Sequence, residues 1–252
     1  MGKLYERDDI YDLLESESRD AITRKHYETI FNGKNIKTLL DVSIGTGGMT
    51  LPIADLGIQF SGSDLSQTML RRCQKKCEAR NIPATLKCCD FRKVAEAFDA
   101  QFDCVASTGN SLGYVSNEDV LKTLEQMDTL VKPGGYLYLD LRNWDMILER
   151  KPRYYLYNPS FVGETRVNLM QFWDYLPDNT VDFNLLYTFE QNNRIIQKEH
   201  FLEHYIPVPR QLIMDKLNEM GYRNIETTLL PAHFGPFDPC ASDWYCIMAQ
   251  KP

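Results

Sequence analysis

Short apolar runs alternate with amphipathic stretches across the first 150 residues of the chain. Runs rich in Leu, Ile, Val and Phe are typical of buried strands, and they predict strands at residues 37–42, 58–63, 84–89, 102–107 and 136–141. The amphipathic stretches predict helices at residues 10–31, 47–56, 66–80 and 117–131. Ser66 and Asn117 are expected to cap two of these helices. Strands and helices that alternate at this spacing predict an α/β fold, with helices on both faces of a parallel sheet.

The pattern changes in the second part of the chain. Residues 165–175 and 181–190 alternate between apolar and polar positions with a period of two, and a turn-like PDNT sequence separates them. This predicts antiparallel strands that form a lid or an extension of the sheet. The proline-rich segment 231–242 is expected to be a loop that reaches over a site. The remaining elements predicted here are a helix at 209–220 and strands at 223–230 and 243–250.

Composition and charge narrow the class of protein. The 252 residues include 28 Lys and Arg against 35 Asp and Glu, a net charge of −7, which disfavours a nucleic-acid partner because such affinity depends on Lys and Arg neutralising phosphates. No run approaches the roughly 20 apolar residues of a membrane span, and the charged N-terminal sequence does not resemble a signal peptide. Seven cysteines therefore predict reduced thiols and a cytoplasmic protein.

The most informative segment is LLDVSIGTGGMT at residues 39–50. An apolar strand ends at Asp41, and Gly45 and Gly47 form the turn that follows it, where glycine lets the backbone approach a ligand closely. Asp64 ends the second predicted strand, at a place where a carboxylate can accept hydrogen bonds from the two hydroxyls of an adenosine ribose. A dinucleotide site usually has a further glycine where this chain has Thr50, so the motif favours adenosine attached to something other than phosphate.

Four motifs in order, DVSIGTGG, SDLS, CCDF and KPGGYLYLD, resemble those of class I S-adenosylmethionine-dependent methyltransferases. The resemblance implies a Rossmann-like α/β fold, with a mostly parallel seven-stranded sheet and an antiparallel β insertion, and S-adenosylmethionine as the cofactor. It also implies four segments: an N-terminal helical cap (1–36), a cofactor-binding core (37–150), an insertion or lid (151–207) and a C-terminal completion of the core sheet (208–252).

The resemblance implies roles at matching positions of this chain. Asp64 would hold the ribose, Asp90 and Phe91 would contact the adenine, and Arg19 would bind the carboxylate of the methionine tail, unless it is only a solvated helix charge. The residues expected to contact the cofactor are Tyr11, Arg19, Asp41, Ser43, Gly45, Gly47, Asp64, Leu65, Met69, Asp90, Phe91 and Thr108.

Two further segments, STGNSLGY at 107–114 and DLRNWDMIL at 140–148, are similar to those of glycine N-methyltransferases and glycine/sarcosine N-methyltransferases. The similarity implies that Arg142 binds the carboxylate of an amino acid and that Asn110 hydrogen-bonds the same small substrate. The alternatives are an outward salt bridge from Arg142 and a turn cap at Asn110. Tyr114 stands where the family has a histidine. The family's N-terminal tyrosine has no exact match in this chain: Tyr11 lies one position away, and Tyr5 is the other candidate. The residues expected to bind and orient the acceptor are Asn110, Tyr114, Arg142, Tyr155 and Tyr205.

The favoured function is therefore N-methylation of a small amino acid such as glycine or sarcosine. Methylation of another amine, such as an amino sugar, and a non-catalytic role as a protein that binds S-adenosylmethionine remain open. No metal site is expected, because His200 and His204 fall in a strand-like pattern. The aromatic segment 153–175 is expected to form either a lid or a subunit contact in a homo-oligomer, and the sequence does not decide between them.

Overall fold

A computed structural model describes residues 3–14 and 16–252. The first two residues of the predicted cap and position 15 lie outside the described residues. The α-helices are α1 (Asp8–Tyr11), α2 (Glu17–Ile30), α3 (Gln67–Ala79), α4 (Asn117–Leu130), α5 (Trp144–Arg150) and α6 (Arg210–Glu219). Short 3₁₀ segments lie at Lys3–Glu6, Asp12–Leu14, Leu51–Leu56, Phe91–Glu96, Ser111–Tyr114 and Ala232–Phe234.

The larger sheet has seven strands in the order β11-β12-β5-β4-β1-β2-β3. Strands β1 to β5 run parallel, whereas β12 is antiparallel to both of its neighbours. The strands of this sheet are β1 (Thr38–Asp41), β2 (Gln59–Asp64), β3 (Thr85–Cys88), β4 (Phe102–Ser107), β5 (Val131–Arg142), β11 (Arg223–Leu229) and β12 (Trp244–Gln250). The predicted Rossmann-like α/β fold, with its mostly parallel sheet, is confirmed.

Helices cover both faces of this sheet because neighbouring apolar residues of one strand point to opposite sides. On β1, Leu40 packs in a cluster that includes helices α4 and α6, while Leu39 packs in a second cluster with helices α2 and α3. Both leucine side chains have no exposed surface. The central strands therefore have almost continuous apolar sequences, as expected for a parallel sheet buried on both faces.

A second sheet of antiparallel strands contains β10, β9, β8, β6 and β7. Their bounds are β6 (Tyr154–Leu156), β7 (Ser160–Val162), β8 (Thr165–Tyr175), β9 (Val181–Gln191) and β10 (Arg194–Tyr205). The period-two alternation predicted β8 and β9 correctly, because one face of the sheet is buried and the other is open. On β8 the inward positions include Val167, Leu169 and Trp173.

Three expectations about local structure need correction. The continuous helix at 10–31 is instead a series of short helical turns followed by α2, which begins after the Ser16 cap. The helix expected at 47–56 is only a 3₁₀ segment from Leu51, because Pro52 has no N–H to donate to the preceding turn. Helix α4 is capped by the hydroxyl of Ser116 rather than by Asn117.

The proline-rich segment 231–242 does not reach over the cavities described below, which other segments line. It packs instead on the start of α5, where Asn143 Nδ2 donates hydrogen bonds to the carbonyls of Pro239 and Ser242. The N–H of Ala232 donates to Nδ1 of His26 on α2. The segment therefore joins helices to the far edge of the sheet.

Candidate active site

Two adjoining cavities lie where the parallel strands of the larger sheet end. The first has a volume of about 350 Å³ and the second about 210 Å³. Residues that line both cavities make them one continuous site: Tyr5, Ser43, Asp64, Ser111 and Tyr114. Ligands of open α/β sheets bind at this edge, so the location itself supports a functional site.

Asp64 ends β2 at the boundary between the two cavities. Its Oδ2 accepts a hydrogen bond from the N–H of Gly45 at 2.9 Å, and its Oδ1 accepts one from the N–H of Ser66 at 2.8 Å. Burial raises the pKa of Asp64, while these N–H donors oppose the rise. Gly45 has a φ of +55°, in the left-handed region that favours glycine. The glycine loop and the acidic strand end thus form one hydrogen-bonded unit beside the cavities.

Asp41, a predicted contact of the cofactor, does not line either cavity. Its carboxylate is fully buried and accepts hydrogen bonds from the Thr50 and Thr108 hydroxyls and from the N–H of Ser43. Burial raises its pKa, and the nearby charge of Asp64 adds to the rise. Asp41 therefore positions the loops that form the cavity instead of contacting a ligand in it.

Gly47 and Met69, two further predicted contacts of the cofactor, do not line the two cavities and belong to the packing beneath the site. A Cβ at Gly47 would lie 1.9 Å from Cδ1 of Leu51, so this glycine is needed for close packing. The side chain of Met69 has no exposed surface. Gly48, the next residue of the loop, lines the second cavity instead.

The first cavity combines apolar side chains with carboxylates. Leu65, Phe91 and Asp90 all line it. Asp90 forms an ion pair with Arg92, with Nη2 and Oδ2 2.5 Å apart, and this contact lowers the pKa of Asp90. The ionised carboxylate of Asp90 can therefore accept a hydrogen bond from an amino group of a planar ring that lies against Leu65 and Phe91.

Four further residues that the sequence singled out line the second cavity: Tyr11, Arg19, Ser43 and Thr108. The Ser43 hydroxyl contacts the backbone of Thr108, donating to its carbonyl and accepting from its N–H. The Arg19 guanidinium makes no hydrogen bond or ion pair with the described part of the chain. It can therefore bind an anionic group in this cavity.

Three tyrosine hydroxyls form a chain across the site. Tyr5 donates to Tyr114 at 2.6 Å, and the Tyr114 and Tyr205 hydroxyls are also 2.6 Å apart. Burial raises the pKa of all three, that of Tyr205 to about 12. These hydroxyls are neutral near pH 7 and can orient a ligand, but they are poor bases. Of the two candidates for the N-terminal tyrosine, Tyr5 joins this chain and Tyr11 lies next to it, with ring centres 5.5 Å apart.

Arg142 ends β5 and points into the molecule. Its side chain lines the second cavity, the residue is only 5% exposed, and Nη1 has no hydrogen-bond partner among the described residues. The alternative of an outward pair with Asp145 is wrong, because the Arg142 side chain is buried and forms no ion pair with Asp145. Four aromatic rings surround the guanidinium carbon at 4.6–5.5 Å: Trp244, Trp173, Phe183 and Tyr155.

Asn110 and Tyr155 lie behind the cavity wall. The Asn110 Oδ1 accepts from the N–H of Arg142 at 3.1 Å and from Nε1 of Trp144 at 3.0 Å, so it positions the end of β5. Its Nδ2 is buried and has no partner within residues 3–14 and 16–252. Tyr155 stacks on Trp173 with 5.7 Å between ring centres and supports Arg142 rather than lining the cavity.

Several residues of the second cavity were not predicted. They come from the inward face of the antiparallel sheet and include Gln171, Tyr187 and Glu203. Gln171 donates to the Tyr157 hydroxyl and accepts from Nε1 of Trp173. Inward positions of an alternating strand are normally apolar. A polar residue at such a position is therefore the sequence feature that could have indicated these residues.

The N-terminal segment is held against the glycine loop by an ionic cluster. Asp12 accepts from the Thr46 hydroxyl at 2.7 Å and pairs with Arg72 and Lys76 of α3. These contacts place the preceding turns, with Tyr5 and Tyr11, over the two cavities.

No metal ligand set comes together among the described residues. His200 contacts Asn184 and His204 contacts Asp182. No helix in the described ranges is long and apolar enough to cross a membrane.

The chemistry of the two cavities fits S-adenosylmethionine. The Asp64 carboxylate can accept from ribose hydroxyls, and Leu65 and Phe91 offer apolar surface for an adenine ring. The Arg19 guanidinium matches the carboxylate of the methionine tail. These assignments of individual contacts remain predictions.

Comparison with known proteins supports this chemistry. Residues 39–135 match a family described as a methyltransferase domain. A glycine/sarcosine N-methyltransferase of Aphanothece halophytica is 27% identical over 227 residues, which cover 85% of this chain and 76% of that protein. A glycine/sarcosine/dimethylglycine N-methyltransferase of Actinopolyspora halophila is 25% identical over 95% of this chain, and the match spans only 40% of its own length.

Solved structures share the whole fold. An S-adenosylmethionine-dependent methyltransferase from Clostridium acetobutylicum superposes with a TM-score of 0.74 at 15% identity, covering 98% of both chains. An amino pentose methyltransferase from Micromonospora echinaspora gives 0.73 at 15% identity, covering 99% of this chain and 97% of that one. The matched methyltransferase domain, these relatives and the shared fold together support a class I S-adenosylmethionine-dependent methyltransferase.

Proposed function

We propose that the protein methylates the amine of a small amino acid such as glycine or sarcosine. The observation that supports this most directly is Arg142, a buried guanidinium that faces the second cavity and has an unpartnered Nη1. A buried charge is costly unless it is paired, so this arrangement calls for an anionic ligand. The carboxylate of an amino acid matches a guanidinium in a bidentate pair.

The cofactor site determines where the amine must lie. S-adenosylmethionine supplies, when bound, an electrophilic methyl group on a positively charged sulfur. In this proposal Asp64 holds the ribose, Arg19 holds the tail carboxylate, and Ser43 and Thr108 line the space between them. Because Arg142 lines the same cavity, it can hold the acceptor within reach of the methyl group.

The protein acts by positioning rather than by strong base catalysis. A neutral amine is already a good nucleophile, and fixing two reactants in near-attack geometry can account for about 7–11 kcal/mol of a barrier. Tyr114 and Tyr205 stay neutral and can orient the acceptor by hydrogen bonds. These residues would hold the amine nitrogen beside bound S-adenosylmethionine, which would supply the methyl group while its sulfur kept the electron pair of the broken bond, and the methylated amine would release its extra proton to water.

The relatives support the proposal but leave the acceptor open. Two relatives that cover most of this chain carry glycine/sarcosine names, at 27% and 25% identity. An amino-sugar acceptor is the alternative, because an amino pentose methyltransferase shares the fold. An uncharged sugar gives no partner to Arg142, so the buried guanidinium favours the amino acid.

The test is a methyl-transfer assay with glycine, sarcosine and dimethylglycine. The wild-type protein should methylate at least one of them, and Arg142→Met should raise KM or abolish turnover while cofactor binding stays normal. Arg150→Met, at an exposed position on α5, is the matched control and should leave turnover unchanged. Absence of turnover with all three substrates would refute the amino-acid assignment, and cofactor binding without transfer to any amine would indicate a non-catalytic protein.

We also propose a cytoplasmic location and four segments with the boundaries predicted above. All seven cysteines are free, which suits a reducing compartment. The antiparallel sheet supplies one wall of the second cavity, which supports a lid role for residues 151–207. The outer surface of that sheet exposes Tyr154, Leu156 and Leu202, which is the part of the chain best suited to contact a second subunit in a homo-oligomer.

A further inference from the structure

The antiparallel sheet places a stack of three aromatic rings beside Arg142. Tyr155 of β6, Trp173 of β8 and Phe183 of β9 lie on three neighbouring strands. The Trp173 and Phe183 residues pair directly across their strands, and their ring centres are 4.2 Å apart with an angle of 3° between the ring planes. The Tyr155 ring is tilted by only 6° from the Trp173 ring. Trp173 and Phe183 are each 2% exposed, so packing holds the stack in one place.

A fourth ring covers the guanidinium from the larger sheet. Trp244 begins β12 and lies directly opposite Arg142 of β5 in the antiparallel pairing. Side chains at directly opposite positions lie on the same face of a sheet and contact each other. The Trp244 ring centre is 4.6 Å from the guanidinium carbon, closer than Trp173 at 4.9 Å and Phe183 at 5.2 Å. All three distances are within the roughly 6 Å over which a ring face attracts a cation.

These rings stabilise the Arg142 charge without using its hydrogen-bond donors. A ring face attracts a cation through its quadrupole but offers no carboxylate or carbonyl oxygen. The Arg142 side chain forms no hydrogen bond or ion pair with the residues that the structure describes. None of the four rings lines either cavity, whereas Arg142 does line the second. The guanidinium can therefore stay charged before a ligand binds and still donate to an anion that enters the cavity.

We infer that Trp244, Trp173 and Phe183 are positioning residues for the acceptor, which hold the Arg142 guanidinium in the orientation that binds the acceptor carboxylate. This inference rests on the proposed function and extends it to residues that act only through Arg142. A long arginine side chain has many rotamers in water, and fixing it in advance lowers the entropy that ligand binding must remove. The rings also keep water away from the guanidinium, so a carboxylate meets donors that are already free.

The competing explanation is that the rings only fill space in the core. Filling space needs apolar volume, which leucine supplies, whereas attraction for a cation needs an aromatic face. A comparison of phenylalanine with leucine at one tryptophan position therefore separates the two roles, because both replacements remove a similar volume. Trp244 suits this comparison best, since it is only partly buried and its indole N–H donates to no residue in the described part of the chain.

The test measures the binding of acetate and glycine, by calorimetry, to the protein saturated with S-adenosylhomocysteine. Trp244→Leu should bind both ligands roughly threefold to thirtyfold more weakly than Trp244→Phe, which is the range expected for one cation–π contact. Both variants should bind S-adenosylhomocysteine as wild type does. The same comparison of Trp173→Phe with Trp173→Leu tests the stack. Phe234→Leu, at an exposed aromatic position, is the matched control and should change no affinity.

The outcomes separate this inference from the proposed function. Equal acetate and glycine affinities in the phenylalanine and leucine variants, with normal glycine binding in wild type, overturn the inference and leave the proposed function standing. Tighter acetate binding in the leucine variants also overturns it, because the rings then compete with the anion for the guanidinium. If wild type binds acetate but not glycine, and the leucine variants lose acetate, the positioning role stands and the amino-acid substrate falls. If wild type binds neither ligand, both fall together.

Two further measurements keep the comparison decisive. A thermal melt checks that each variant is folded, and should Trp244→Leu not fold, Trp244→Met takes its place, with a flexible apolar side chain. Equal losses of affinity for acetate and for S-adenosylhomocysteine in the leucine variants would show a general distortion of the site and would also overturn the inference.

Discussion

The buried carboxylate of Asp140 gives a sharp prediction about stability and pH. Asp140 lies near the end of β5, and its Oδ1 accepts hydrogen bonds from the N–H groups of Gly109 at 2.6 Å and Asn110 at 3.3 Å. The residue is 1% exposed, and burial raises its pKa from 3.8 to about 7. These contacts hold the loop after β4, and Asn110 in that loop accepts a hydrogen bond from the N–H of Arg142. The prediction therefore concerns residues that support the acceptor cavity.

The sign follows from proton binding in the folded and unfolded states. A carboxyl whose pKa is higher in the folded state binds more protons when the protein is folded. Its contribution to the free energy of unfolding is therefore fully present below about pH 3.8 and is lost as the pH rises to about 7. Each pKa unit corresponds to about 1.4 kcal/mol, which gives a total of about 4 kcal/mol. Asp140→Asn keeps an oxygen for the two N–H donors and removes the charge. Relative to wild type, it should gain stability as the pH rises.

Urea denaturation at several pH values tests this prediction. Between pH 5 and pH 8 the unfolding free energy of Asp140→Asn should rise relative to wild type by roughly 2–3 kcal/mol, with most of the change below pH 7. Asp99→Asn, at an exposed position, is the control and should show a flat difference. A difference for Asp140→Asn that is equally flat over this range would refute the reasoning.

Two further predictions concern the cofactor loop and its surroundings. Arg19→Met should weaken the binding of S-adenosylhomocysteine, measured by calorimetry, by roughly tenfold to hundredfold, because it removes a charged partner of the tail carboxylate. Arg24→Met on the same helix is the control and should leave this binding unchanged. Equal effects of the two substitutions would contradict the assignment of Arg19. Gly47→Ala should destabilise the protein in urea by about 1–3 kcal/mol more than Gly134→Ala, because both have positive φ but only the first new Cβ would meet Leu51, at 1.9 Å. Equal losses would show that the close contact costs nothing.

The sequence predicts strands and helices well where the hydrophobic pattern has a single clear period. Strand β8 matches its predicted range of 165–175, and β4 matches 102–107. Residues 47–56 have helical periodicity too, but Pro52 and the tight turn at Gly47 prevent a regular helix. The periodicity of apolar residues indicates which face of an element is buried. It does not reveal that a proline lacks the backbone N–H that a regular helix needs.

The site was predicted in part, for a similar reason. Motif residues such as Asp64 and Arg142 line the cavities, because they lie at strand ends where neighbouring loops converge. Asp41 stands in the same motif, yet its carboxylate accepts hydrogen bonds from the hydroxyl of Thr50, in the same segment, and from that of Thr108, in the loop after β4. Gln171 and Glu203 belong to the other sheet, and only the packing of the two sheets brings them to the cavity.

The most direct test of the central claim is a crystal structure of the protein with S-adenosylhomocysteine and sarcosine. We expect the sarcosine carboxylate within hydrogen-bond distance of the Arg142 guanidinium, with its nitrogen directed toward the cofactor sulfur. A guanidinium turned away from the cavity, or a fully occupied cofactor site with sarcosine absent beside Arg142 at saturating concentration, would contradict the account.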